Sequence, residues 1–220
     1  MSDQIAGKEK IAEYFEALLE KHGDHYLSLD WKSKESQTVR FTVLLDMIAY
    51  ADKGKNFALL DVGCGIGHLY EMLESSGIIK KFNIKYSGID ISQKMIDFAK
   101  KKFPDVDFHK VDLIKDKFDR KFDYVVSSGA FNIRMSDLAS HKSSVIQMIS
   151  RMFSLSRSGT AVNFLSRSSL YLIPEGAADG ADKYVYYSEE EVLHFVRAVC
   201  DRYVLRKDYH PGDFTVYMLK

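Results

Sequence analysis

The apolar residues Ile11, Tyr14, Phe15, Leu18 and Leu19 recur at the spacing of one helix face, with charges between them, and predict a helix over 8–22. Gly23 is a natural stop. A polar and aromatic segment follows (GDHYLSLDWKSKESQ), and a second helical pattern runs over 36–50. Beyond 51–56 the pattern changes. Strands are predicted at 57–62, 84–90, 106–111, 121–128 and 160–166, the fourth rich in residues that favour strands. Helices are predicted at 66–77, ending near Gly77, at 92–103 and at 136–156. Ser92 reads as the cap of the second of these, and Pro104 stops it.

Strands and helices of these lengths in alternation imply a parallel sheet with helices on both faces. Two segments depart from that rhythm. The stretch 166–187 is too long for a plain connection. The end of the chain, 202–220, reads as strand, turn at His210–Asp213, strand. A tight turn joins only antiparallel neighbours, so the last strand is expected to run against the others. No repeat, low-complexity tract or interdomain linker is visible, and the 220 residues suit one domain, with 1–50 as a helical extension and 57–220 as the core.

Composition narrows the function classes. Hydrophobic residues make up 46% and charged residues 28%, an ordinary globular mix. Lys plus Arg equals Asp plus Glu at 31 each, which gives no electrostatic reason to expect a nucleic-acid partner. Two cysteines, Cys64 and Cys200, are too few for a disulfide framework and suit a reduced, cytoplasmic chain. The first fifteen residues carry charges throughout, and no run of about 18 apolar residues occurs, so neither a leader nor a membrane span is expected.

The chemistry is concentrated in LLDVGCGIGHLY, Leu59 to Tyr70, where three glycines follow a strand and an acid. In open α/β sheets ligands bind outside the carboxyl ends of the strands, which is where this loop falls. Glycine lets a ligand approach the main chain, and the following helix offers unpaired N–H groups. A nicotinamide-binding turn needs Gly-x-Gly-x-x-Gly. Here the third glycine, Gly67, comes one position early and His68 stands in its place, which disfavours a dehydrogenase. Acids also end the next two strands. Asp90 is suited to two ribose hydroxyls, and Asp112 to the exocyclic amine of an adenine. The ligand implied is a nucleoside with a charged tail.

Taken together, LLDVGCGIGHL, YSGIDISQKMIDFA, VDL and FDYVVSSGAFN resemble the class I S-adenosylmethionine-dependent methyltransferases, over roughly Phe57 to Lys220. Asp61, Gly63, Gly65 and Gly67 match that family's acidic-x-Gly-x-Gly-x-Gly motif. The resemblance implies a Rossmann-like, doubly wound, seven-stranded and mostly parallel sheet with an antiparallel last strand, and S-adenosylmethionine as cofactor. It further implies that the Gly63–Gly67 loop lines the methionine moiety and that Asp90 binds the ribose. Asp112 and Leu113 would meet the adenine, with Ile91 and Met95 sandwiching it.

Motifs of this class define the cofactor and not the acceptor, because the cofactor carries the activated methyl and the protein mainly positions it. The segment Ser127–Ser136 after the fourth strand is expected to face the methyl, with Ser128 counted among the cofactor residues. It lacks the Asn/Asp-Pro-Pro-aromatic signature, which counts against methylation of nucleobase or glutamine nitrogens. Asn132 and Arg134 suit a polar or anionic acceptor. His68, at the start of a helix, and His210, near Asp213, are the candidate bases. The other histidines show no metal-ligand spacing, so no metal is expected. Two segments, residues 1–50 and 166–187, are long enough to cover the open sheet edge as lids. Tyr26, Trp31 and Arg40 of the first are expected over the cofactor cleft, with Arg40 on the cofactor carboxylate. The insertion 166–187, with Tyr171, Pro174, Tyr184, Tyr186 and Tyr187, is expected to wall the acceptor pocket or form a dimer contact. The expected function is methyl transfer to oxygen or nitrogen of a small polar metabolite, by a monomer or homodimer. An RNA or protein acceptor, or cofactor binding without turnover, are the alternatives.

Overall fold

The computed structural model describes residues 7–50, 56–134, 137–172 and 183–220. Two helices come first, α1 (Lys8–His22) and α2 (Lys34–Tyr50), with a 3-10 turn at Tyr26–Leu29 between them. The sheet then builds through β1 (Ala58–Val62), α3 (His68–Ser75), α4 (Ile78–Phe82), β2 (Lys85–Asp90), α5 (Gln93–Lys102), β3 (Asp107–Lys110), β4 (Phe122–Ser127), α6 (Leu138–Leu155) and β5 (Ser156–Leu165). A second 3-10 turn, Arg167–Leu172, precedes α7 (Glu189–Arg197), β6 (Arg202–Arg206) and β7 (Asp213–Leu219).

The seven strands form one sheet in the order β3-β2-β1-β4-β5-β7-β6. Pairs from β3 through β5 are parallel, and β7 runs antiparallel to both β5 and β6. The winding reverses beside β1, between β2 and β4, so the loops after these three strands converge on one edge. Strand side chains alternate between faces, which divides the core in two. Leu60, Val62 and Val125 pack with α6 and α7 through Val145, Ile149 and Val192. Leu59, Tyr124 and Val126 pack with α2, α3 and α5 through Leu44, Leu73 and Ile96.

Local signals behave as their chemistry requires. The Ser92 hydroxyl accepts from the Met95 N–H at 3.2 Å and caps α5, and Lys100–Lys102 close its last turn against the helix dipole. Three expectations are corrected. The helix expected over 66–77 stops at Ser75, and Gly77, in the left-handed region at φ 73, starts α4 as a separate turn. The strand expected at 160–166 begins earlier, because Ser156–Gly159 also pair with β4. Helix α7, capped by Ser188, adds to the expected elements. Pro174 lies outside the described residues. Among those described, no helix is long and apolar enough to cross a membrane.

Candidate active site

The turn after β1 is strapped to the end of β2. The N–H groups of Gly63 and Cys64 donate to the Ile89 carbonyl at 2.8 and 3.1 Å, and the Gly65 N–H donates to the Asp90 carboxylate at 2.9 Å. All three glycines have a positive φ and no room for a Cβ, but their neighbours differ. Gly63 and Gly65 have φ of 74 and 54, and a Cβ there would come within 2.9 Å of Ala130 Cβ and 2.6 Å of Leu29 Cδ2. Gly67, at φ 87, starts α3 and faces inward, where a Cβ would meet Phe108 at 3.0 Å and Phe103 at 3.3 Å. Gly88 carries no signal in the sequence; a Cβ on it would meet Phe108 at 2.6 Å and the Cys64 Sγ at 2.9 Å.

Above this turn lies a cavity that gathers most of the residues expected to hold a cofactor. Asp61, Gly63, Gly65, Asp90, Ile91, Met95, Asp112, Leu113, Ser128 and Trp31 all line it, and Gly67 does not. Its roof comes from the 1–50 segment expected to cover the cleft, through a helix of which no single residue is expected at the site. Ile11, Ala12 and Phe15 of α1, with Leu29 of the 3-10 turn, complete the lining. Helix α1 is held there by its polar side. The Ser92 hydroxyl donates to Glu16 at 2.7 Å, and Lys94 pairs with Glu20 at 2.9 Å and Glu16 at 3.5 Å. The only signal of this role is that Ile11 and Phe15 sit on one apolar face.

The electrostatics of the cavity are unbalanced. Asp61 is buried and accepts from the Tyr86 hydroxyl at 2.7 Å; burial first, and then the nearby Asp90, push its carboxyl up to about 7. The Asp90 carboxylate accepts from the Gly65 and Ser92 N–H groups, each at 2.9 Å, and burial raises it above the usual range despite those bonds. Neither carboxylate has a cationic partner among the described residues. The Ser128 hydroxyl, buried in the same wall, has no hydrogen-bond partner among them either. Asp112 uses one oxygen to accept from the Ile114 N–H at 3.0 Å, closing its own turn.

A second cavity of about 360 Å³ adjoins the first and shares Phe15, Leu29, Trp31 and Gly129 with it. Trp31 lies against Gly129, where a Cβ would meet its ring at 3.3 Å. Arg40 lines this second cavity and not the first. Its guanidinium pairs with the fully buried Asp213, donates to the Ser36 carbonyl at 2.8 Å and lies over the Trp31 ring at 5.1 Å. The expectation that Arg40 sits over the cofactor cleft is therefore corrected. So is that for Tyr26, which lines neither cavity and stacks on His25 at 4.1 Å. From the insertion, Ser169, Tyr184 and Tyr186 wall the second cavity, while Tyr171 is 91% exposed and Tyr187 is buried against His141.

The three catalytic candidates separate. His210 lines the second cavity, with Nδ1 3.1 Å from the Asp213 carboxylate. Asn132 lines it too, but its side-chain oxygen accepts from the Leu165 N–H at 3.0 Å and ties β5 to the loop after β4. His68 lines neither cavity. It is buried between Gln37 at 3.1 Å and Asp24 at 3.3 Å. Asp24, His68 and Glu71 bring three ligand atoms within 4.8 Å, but Lys102 is already there, 2.7 Å from Asp24 and 2.9 Å from Glu71. Burial and that ammonium hold the His68 imidazole below its ordinary range.

This geometry has counterparts. The family model described as a methyltransferase domain matches residues 59–154. The protein Rv1506c of Mycobacterium tuberculosis, named as a methyltransferase, is 32% identical over 173 residues, covering 74% of this chain and 93% of that one. Among solved structures, magnesium protoporphyrin IX methyltransferase (ChlM) from Synechocystis PCC 6803 with bound SAH, the demethylated cofactor, superposes with a TM-score of 0.65 at 18% identity, covering 97% of this chain and 99% of that one. The plantazolicin methyltransferase BpumL, in complex with a triazolic desmethylPZN analog and SAH, gives 0.66 at 14% identity, covering 96% and 97%. With the glycine turn, the acids at successive strand ends and the reversed last strand in place, this chain belongs to the class I S-adenosylmethionine-dependent methyltransferases.

Proposed function

We propose that the protein moves the methyl group of S-adenosylmethionine to oxygen or nitrogen of a small polar metabolite, with the cofactor in the first cavity and the acceptor in the second. One observation carries the assignment of the first cavity. Asp61 and Asp90 are two mutually repelling carboxylates without a cation among the described residues, on either side of a bare glycine turn. A ligand with an ammonium and a sulfonium supplies the missing charge. On this reading Asp90 holds the ribose hydroxyls, the Gly63–Gly65 turn receives the methionine moiety, and Ile91, Met95 and Leu113 enclose the adenine. Ser128, otherwise without a partner, gains one.

The cofactor supplies an activated methyl, and the chain's task is to orient an acceptor and exclude water. The residues that line both cavities, Phe15, Leu29, Trp31 and Gly129, suit that division, since they put the two ligands next to each other. The second cavity's size is near the lower end of ordinary small-ligand pockets, about 300–1,000 Å³, which favours a metabolite. Equal numbers of acidic and basic residues give no drive toward nucleic acid.

Calorimetric titration with S-adenosylmethionine or SAH tests the reading. Asp90→Ala is expected to weaken binding by about 1.5–3 kcal/mol, the range for hydrogen bonds to a charged group. Equal affinity in the variant and the parent protein would remove Asp90 from the site.

A further inference from the structure

We infer that the second cavity takes a planar aromatic acceptor bearing a hydroxyl and a separate anionic group, and that His210, backed by Asp213, receives the hydroxyl proton. The inference rests on the reading of the first cavity as the methyl donor's.

Shape is the first argument. Four aromatic side chains, Phe15, Trp31, Tyr184 and Tyr186, stand around the cavity, and two of them are braced. Trp31 has Arg40 over its ring and the edge of Phe41 at 6.4 Å. The Tyr184 hydroxyl donates to Asp30 at 2.6 Å, and its ring meets Tyr186 edge-on at 6.4 Å. Aromatic rings already held in place cost little ordering when a flat ligand packs against them.

Charge is the second. Asp30 is answered by Lys183 at 2.6 Å, and Asp213 by Arg40. Lys32, exposed at the cavity's rim, has no ion pair among the described residues, and its charge acts on both His210 and Asp213. Among the described residues the cavity thus keeps one unanswered positive charge, which an anionic substituent would complement.

His210 Nδ1 accepts from the Gly212 N–H at 3.1 Å, and a carboxylate oxygen of Asp213 lies at the same distance without hydrogen-bond geometry. The buried carboxylate is the stronger partner, so on this proposal the ring carries its proton on Nδ1 toward Asp213 and gives up the Gly212 contact. Nε2, which has no partner among the described residues, is then left as a free base. The charged groups around the ring are Asp213 from β7, Arg40 from α2 and Lys32 from the segment before it, with the Tyr186 hydroxyl and Ser169 on the insertion side. Burial and the two cations hold the imidazole below its ordinary range, neutral at pH 7 and able to take a proton. The acceptor oxygen forms its bond to the methyl carbon as the carbon–sulfur bond breaks. The electron pair of that bond stays on sulfur, and the hydroxyl proton passes to Nε2.

Trp31 is the chain's only tryptophan, so its fluorescence reports on this cavity directly. The protein saturated with SAH is titrated with 2-, 3- and 4-hydroxybenzoate and with 3-hydroxycyclohexanecarboxylate. At least one hydroxybenzoate is expected to quench saturably and the non-aromatic acid is not. Lys32→Ala should weaken the aromatic acid's binding about 3–10-fold. His210→Gln should leave its binding within about twofold and lower kcat about 100-fold with S-adenosylmethionine present. In that variant the rate should climb with pH as the phenol ionises unaided, while the parent protein's rate levels off. Normal SAH binding without quenching by any hydroxybenzoate would overturn the aromatic-acid class and leave the first cavity's reading intact. Failure of SAH itself to bind would remove both readings. Quenching without methylation of the hydroxyl, or a His210→Gln profile parallel to the parent's, would overturn the role of His210.

Discussion

Replacing Asp61 with asparagine should make the protein more stable and a poorer cofactor binder. The Asp61 carboxyl rises from 3.8 to about 7 on folding, because it is buried and faces Asp90. Between about pH 4 and pH 7 the folded chain keeps this proton while the unfolded chain has released it. The folded state therefore binds more protons in that window, and stability falls as pH rises through it, levelling off above about 7. Roughly three units at about 1.36 kcal/mol each give an upper bound near 4 kcal/mol for the cost at pH 7.5. The substituted amide would retain an oxygen for the Tyr86 hydroxyl and carry no charge. Urea unfolding at pH 4.5 and pH 7.5 is the assay. The Asp61→Asn variant should gain about 2–4 kcal/mol over the parent at pH 7.5 and much less at pH 4.5. A gain that does not depend on pH, or a loss at pH 7.5, would refute the argument. Cofactor binding supplies the other half of the test. A cationic ligand draws the proton off Asp61, so calorimetry near pH 6.5 in buffers of different ionisation enthalpy should detect proton release in the parent and none in the variant.

Two further outcomes follow from the clasps around the second cavity. Asp213→Asn strands the buried Arg40 guanidinium and should cost about 3–5 kcal/mol in a thermal melt, with Arg40→Met on the same background recovering part of the loss. Lys183 joins the two covering segments, since its ammonium reaches Asp30 and lies 4.4 Å over the Tyr14 ring and 4.6 Å over that of Tyr184. Lys183→Met should change global stability by less than about 1 kcal/mol, because the pair is partly exposed, yet speed amide exchange in 7–30 and 183–187. Unchanged exchange there would mean the segments are held independently.

The chain itself determines the sheet and the residues at its ligand-binding edge. Short apolar runs, glycines in sequence and acids at successive strand ends are local facts, and β1, β2 and β3 with Asp61, Asp90 and Asp112 at or just past their ends appear where those facts put them. The turn between β6 and β7 is equally local, and so the reversed strand is legible. Tertiary structure decided the rest, because it depends on partners far away in sequence. Gly67 and Gly63 look alike along the chain, but one faces Phe108 and the other a cavity. His68 and His210 both stand near acids in sequence or in space. Gln37 and Asp24 bury the first outside the site, and Asp213 turns the second to the second cavity. Arg40 lies 173 positions before Asp213, and no local pattern announces that pair or its removal from the cofactor edge. The roof over the cofactor cavity is the clearest case. An apolar helix face states that it must be covered, but only the packing of Ile11 and Phe15, fixed by Glu16 and Glu20 on Ser92 and Lys94, decides what it covers.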